Sequence, residues 1–295
     1  MRILRSIIGT FVSLSLLLGL ALSPAFAQPA FDPPGLARAI EAQERHTNDL
    51  LGIQGVVGTA VGLGTNGQAV VKIYTEKSGI GGLPRSLDGV PVVVQVTGKI
   101  HALHHRPGHS GGPGGGGGGY YGVTSEPAPT DRWLRPVPIG VSTGNAGECS
   151  AGTIGARVTD GPNVYALSNN HVYALENEAP DNSSILQPGR FDTNCASDNS
   201  DVIGTLEAFV PIDFSTLASN TVDAAIALSS TEDLGNSTPA DGYGTPKSLL
   251  VTAFVGQSVQ KYGRTTSLTK GVITGINATV NIGYSSGTAR FVDQI

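Results

Sequence analysis

Between His101 and Thr130 lies a stretch that cannot contribute to a packed core. It holds His101, His104, His105 and His109, then Gly111, Gly112 and Pro113, then an unbroken run from Gly114 to Gly119, and it closes on Pro127-Ala128-Pro129. Glycine has no side chain to bury and loses the most backbone freedom on ordering. Residues 101–130 are therefore expected to be a flexible linker, with the chain folding on either side of it. The four histidines could bind a transition metal through neutral imidazole nitrogens, but an unstructured tract holds ligands with little geometric selectivity. No metal site and no cofactor is expected.

The amino terminus sets the compartment. Arg2 and Arg5 precede an apolar run from Ile7 to Leu22, and Pro24-Ala25-Phe26-Ala27 follows it. A run of about 16 residues is shorter than the roughly 20 that span a bilayer, and small residues of A-x-A type come next. Residues 1–27 are expected to be a secretory signal peptide, and the protein to be secreted or otherwise extracytoplasmic, with no membrane attachment after cleavage. The formal charge of the chain is −5. Cleavage removes Arg2 and Arg5 and no acid, which leaves the rest more acidic and argues against a nucleic-acid partner. With 14% charged residues and 41 glycines, the composition suits short strands and turns, so the chain is expected to be mainly β.

Cys149 and Cys195 are the only two cysteines. In an exported chain they are expected to form one disulfide, closing a loop of about 47 residues for which chain entropy gives roughly 4 kcal/mol. A two-cysteine zinc site is the alternative, but no C-x-x-C spacing supports it.

Before the linker, Leu36, Ala39, Ile40, Leu50 and Leu51 recur at helical spacing between Pro33-Pro34 and Gly52, which predicts one helix. Val56–Val61, Ala69–Tyr74 and Val90–Val96 read as strands, making residues 28–100 a small α+β domain. Gly62-Leu63-Gly64-Thr65-Asn66-Gly67 matches G-x-G-x-x-G as a string. A strand rather than a helix follows it, so hairpin-turn chemistry at Asn66-Gly67 is the better reading than a nucleotide site. After the linker, strands are expected over 152–158, 164–168, 202–209, 222–228, 259–262, 271–278 and from 290 to the end, a spacing that suits a barrel or sandwich.

The chemistry is concentrated after the linker. His171 follows the strand Asn163–Ser168 through Asn169-Asn170, and Asp223 stands in Val222-Asp223-Ala224-Ala225-Ile226-Ala227. Together, Ser168-Asn169-Asn170-His171-Val172 and the segment around Asp223 resemble motifs of trypsin-like serine peptidases, specifically exported bacterial members. Lys261-Tyr262-Gly263-Arg264-Thr265-Thr266, with Leu268-Thr269-Lys270-Gly271-Val272, resembles the strand and turn that open the second barrel of that family. The resemblance covers roughly residues 140–295. It implies a double antiparallel β-barrel in residues 131–295, with His171 as general base and then acid, and Asp223 holding its imidazole in the right tautomer. It also implies a disulfide that braces the loop carrying His171.

The family order also requires a Gly-Asp-Ser-Gly-type turn after Asp223, and the sequence contains none. Gly283-Tyr284-Ser285-Ser286-Gly287 matches G-x-S-x-G as a string, but that elbow needs a following helix and downstream partners. Ser285 and Ser286 are expected instead to form a polar turn between strands. The second barrel is therefore expected to be incomplete, and the chain to be an incomplete serine endopeptidase, inactive as it stands. The alternative is a non-catalytic binding protein on a peptidase scaffold. The expected partner is accordingly a polypeptide substrate or another protein, and the chain itself a monomer.

Overall fold

In the computed structural model, residues 33–103 and 126–295 are described. The signal-peptide expectation for residues 1–27 and those concerning His104, His105 and His109 lie outside them. The elements within residues 33–103 are α1 (Leu36–Leu51), β1 (Val56–Leu63), β2 (Ala69–Thr75), β3 (Ser86–Leu87), β4 (Val90–Val96) and β5 (Ile100–His101). Within residues 126–295 come first β6 (Ser142–Asn145), β7 (Gly152–Thr153), β8 (Ala156–Thr159), β9 (Val164–Ser168) and α2 (Asn170–Tyr173). They are followed by β10 (Ser184–Leu186), β11 (Val202–Phe209), β12 (Ala225–Ser229), β13 (Ser258–Gly263), β14 (Ser267–Val272), β15 (Ile276–Gly283) and β16 (Thr288–Gln294). The chain is mainly β.

One sheet runs in the order β7-β6-β10-β11-β12-β9-β8 and is antiparallel throughout. Its two ends are parts of one bent strand. Ile154 N donates to Val141 O at 3.0 Å and Gly155 N donates to Leu167 O at 2.8 Å, so the ladder passes from β6 to β9 without a break. The sheet therefore closes into a six-stranded barrel. Its interior holds Ile139, Val141, Ile154, Ile185, Ile203 and Leu206, with the ring of Tyr173 fully buried beside them. On β12, the inward positions are Ala225 and Ala227, the period-two alternation of a strand with one face in a core.

The second large sheet has the order β16-β15-β1-β2-β4-β3, with β5 added in parallel to β15. The β1–β2 hairpin turns where the sequence predicts: Gly64 N donates to Gln68 O at 2.9 Å and Gly67 takes φ 78°. Asn66 serves through its side chain, whose Oδ1 accepts from Gln68 N. On one face α1 buries Ala39, Ala42 and Leu50. On the other lie Ala60, Val280, Ala289 and Phe291 with Ile212, which belongs to the segment between β11 and β12.

This sheet takes strands from both sides of residues 101–130. The segment 261–272, expected to open a second barrel, lies in the two-stranded hairpin β13–β14, and the strands that follow it, β15 and β16, join β1. The expected single strand 271–278 is interrupted between Val272 and Ile276. The physical reason lies in β1. A Cβ at Gly58 would stand 2.8 Å from Thr279 O, and one at Gly62 would stand 2.8 Å from Thr274 O. The two glycines let the distant chain approach to pairing distance.

Hairpin β13–β14 is fastened to the barrel by Arg264. Its guanidinium pairs with Asp192, Nε to Oδ2 at 2.7 Å, and the same Asp192 oxygen accepts from Ser142 Oγ. Both charged side chains are nearly inaccessible, a setting in which an ion pair holds only if its geometry and extra hydrogen bonds offset desolvation.

Candidate functional site

The antiparallel register of β9 and β12 creates the site. Ser168 pairs with Ala225, so the residues that leave β9 and those that enter β12 emerge at the same end of the barrel. Asn169 is extended, and the single turn of α2 then presents His171. Asp223 stands two residues before β12. The sequence predicts it within a strand from 222, but the ladder begins at Ala225, and Asn169 Nδ2 donates to Asp223 O at 3.0 Å to fix the approach.

The structure brings His171 and Asp223 into direct contact. His171 Nδ1 lies 2.5 Å from Asp223 Oδ2, and the His171 main-chain N–H donates to Oδ1 at 3.2 Å. A carboxylate only accepts, so Nδ1 carries a proton toward Asp223, and in the neutral imidazole Nε2 is the acceptor. Burial pushes the Asp223 carboxyl upward. The hydrogen bond and charge of His171, its main-chain N–H and the Tyr284 hydroxyl outweigh that and hold the carboxyl below its usual range. The pair is chemically equipped to accept a proton at Nε2 while a fixed anion supports the imidazolium.

Two asparagines hold the loop that follows. Asn170 Nδ2 donates to Asn177 Oδ1 and to Val210 O, both at 2.8 Å, and Asn177 Nδ2 donates to Ile212 O at 2.9 Å. Between them Leu175, Glu176 and Asn177 all have positive φ, 51°, 59° and 77°. Three consecutive left-handed non-glycine residues are costly, about 1–2 kcal/mol each, and the asparagine bonds over-determine them. The result is that Glu176, 2% exposed, aims its carboxylate at the turn between β15 and β16. Ser286 N donates to it at 2.7 Å and Ser285 N at 3.2 Å. Burial pushes Glu176 upward as well, but the hydroxyls and N–H groups of Ser286 and Ser285 bring it below its ordinary value.

Ser285 and Ser286 thus lie in a turn joining two strands. Beside them, Tyr284 donates its hydroxyl to Asp223 Oδ2 at 3.1 Å. A cleft of about 350 Å³ opens next to the pair, lined among others by His101, His171, Asp223, Tyr284 and Gln294. Cys149 and Cys195 are joined in a disulfide at the β6–β7 connection. That connection reaches α2 through Asn145, whose Nδ2 donates to Tyr173 O at 2.7 Å. Among the described residues, no group of three or more His, Cys, Asp or Glu is placed to hold a metal, and no helix is long and apolar enough to cross a membrane.

No family model matches the chain, and no curated protein matches it. Among solved structures, a glutamic-acid-specific serine protease described as using a novel histidine triad in substrate binding aligns with 53% of this chain and 70% of its own. The identity is 23% and the TM-score 0.36, a likeness too low to carry an argument about chemistry. The site must therefore be read from its own geometry.

Sequence reasoning singled out His171, Asp223, Cys149 and Cys195. It missed Asn170, Asn177, Glu176 and Tyr284. Asn177 and Glu176 act through a backbone conformation that no local pattern announces, and Tyr284 acts through a pairing between strands far apart in sequence.

Proposed function

We propose that residues 131–295 belong to an exported serine endopeptidase of trypsin-like type, in which His171 is the general base and Asp223 its orienter. The observation that supports this is the 2.5 Å contact between His171 Nδ1 and Asp223 Oδ2 at one end of a closed six-stranded barrel, with the main-chain N–H of His171 on the other carboxylate oxygen. In that role Nε2 takes the proton of a serine hydroxyl as the hydroxyl attacks a peptide carbonyl. Asp223 stabilises the imidazolium, and the same proton then passes to the leaving amine. The sequence offers no Gly-Asp-Ser-Gly-type turn after Asp223, and nucleophile, oxyanion donors and base act as a unit. Residues 28–295 alone are accordingly expected to hydrolyse nothing at an appreciable rate.

The experiment is to read the coding sequence that follows the Ile295 codon, express the longest product, and assay it on casein and peptide esters. A Gly-x-Ser-Gly-type turn within a few tens of residues, with turnover lost in His171→Ala, supports the proposal. Covalent labelling of Ser285 or Ser286 by a fluorophosphonate in the 28–295 chain would replace it with a different nucleophile. A longest product that neither hydrolyses nor labels would favour the second reading, a binding protein on a peptidase scaffold. One observation favours that reading: Tyr284 and its turn lie over the pair, and His171 is only 7% exposed.

A further inference from the structure

We propose that Tyr284 is a positioning residue for the His171–Asp223 pair, and that Glu176 holds it in place by gripping the turn that carries it. The proposal rests on reading His171 as a base.

Three independent constraints converge on the Tyr284 ring. It stands edge-on to His171, with centroids 6.0 Å apart and planes at 65°, and edge-on to Phe214 at 5.6 Å and 71°. It also lies against Phe291 at 6.2 Å. Aromatic pairs at these separations fix ring orientation as well as burying area. The turn behind the ring closes with Tyr284 N donating to Gly287 O at 2.7 Å. The next two N–H groups, of Ser285 and Ser286, are both spent on Glu176. Glu176 lies five residues after His171, in the loop that α2 opens into. One loop therefore both displays the base and grips the element that reaches back to the orienter.

The hydroxyl has a defined effect on Asp223. Oδ2 accepts two donors, His171 Nδ1 and Tyr284 Oη, while Oδ1 accepts the His171 main-chain N–H. Burial first, and then the charges of Asp223 and Glu176, push the Tyr284 phenol well above its ordinary value, so it is a permanent donor at any working pH. A second donor on Oδ2 fixes the plane of the carboxylate and draws charge from the oxygen that His171 Nδ1–H shares. Both effects tune how strongly Asp223 supports an imidazolium.

The test is the low-field proton resonance of His171 Nδ1–H in residues 28–295. Tyr284→Phe keeps the ring and removes only the donor. The resonance is expected to move downfield, because Oδ2 is then shared by one donor rather than two. An unmoved or upfield-shifted resonance overturns the proposal. Replacing Tyr284 by 3-fluorotyrosine, which packs alike and donates more strongly, is expected to shift the resonance the opposite way, and this variant decides the matter if Tyr284→Phe does not fold. Glu176→Gln is expected to move it in the same direction as Tyr284→Phe and by less; no movement removes the gripping role of Glu176. Asp223→Asn is the control that separates the two readings. If the low-field signal survives it, the base–orienter reading itself fails, whatever Tyr284 does.

Discussion

The barrel and the second large sheet bury comparable cores by different routes. The barrel is drawn from one stretch of chain, and most of its neighbouring strands are joined by connections that keep their register local. The other sheet is built from β1–β5 and from β15–β16, so that β1 has a local antiparallel partner on one side and a partner more than 200 residues away on the other. His171 and Asp223 depend on the barrel, where the pairing of Ser168 with Ala225 across β9 and β12 places them. Tyr284 depends on the other sheet. The pair should therefore persist when the sheet is weakened, while the contact that covers it should not.

The sharpest way to break that distinction is at Phe291, which is 2% exposed in the cluster formed by Ala60, Ile212, Ala278, Val280 and Ala289. Phe291→Ala should cost about 3–5 kcal/mol, from lost transfer energy and the cavity left behind. Denaturant unfolding measures the loss. Hydrogen exchange shows where it falls: β1, β15 and β16 should lose protection while β9 and β12 keep theirs. Equal loss in both regions would mean that they unfold as one body. The mirror experiment removes the disulfide. Cys149→Ala with Cys195→Ala should cost about 2–4 kcal/mol, falling on β6, β10 and the segment around Cys195. Loss concentrated in the other sheet would contradict the division.

Acid should act on the junction between the two regions. Asp223 and Glu176 are both held below their ordinary values, 3.8 and 4.5. The unfolded chain therefore binds these two protons at higher pH than the native one. The stability they contribute is complete above the ordinary values and is lost as pH falls through the lowered native ones. As pH falls below the ordinary value of 4.5, the turn at Ser285-Ser286 should loosen before the barrel melts, followed by the fluorescence of the tyrosines against the far-ultraviolet signal. Glu176→Gln should flatten part of that slope. A slope unchanged by it would place the acid-sensitive charge elsewhere.

The same contrast explains what could be read in the sequence. Strands 90–96 and 202–209 lie where their β-branched residues place them, and helix 36–51 where its apolar spacing does. The approach of His171 to Asp223 follows from two short motifs and one strand register. The partner of β1 could not be read in this way, because its only local trace is negative. Gly58 and Gly62 are weak choices for a strand interior, and they make sense only once the backbone of 274–280 is known to lie against them. Glu176 is hidden for a related reason: its side chain is aimed by three left-handed residues, and Asn and Glu in such a run look like an ordinary polar loop. Tyr284 precedes a hairpin turn, where tyrosine is common, and nothing nearby points to Asp223.

The smallest predicted effect is also the most direct check that β15 belongs beside β1. Gln43, on the buried face of α1, donates through Nε2 to Thr59 Oγ1 at 2.7 Å and accepts through Oε1 from Asn277 Nδ2 at 2.9 Å. Gln43 is 1% exposed, so its amide is satisfied only because β15 brings Asn277 to it. Gln43→Leu leaves Thr59 paired with Thr47, which lies 2.8 Å away. Asn277→Gly preserves the φ of 52° that alanine would strain. A double-mutant cycle of these two substitutions should give a coupling of about 0.5–1.5 kcal/mol, typical of one buried hydrogen bond between residues in contact. Zero coupling would mean that residues 276–294 are not committed to β1 in solution. They would then be available to the arrangement that the motif around Lys261–Val272 implies, with Tyr284 withdrawn from Asp223.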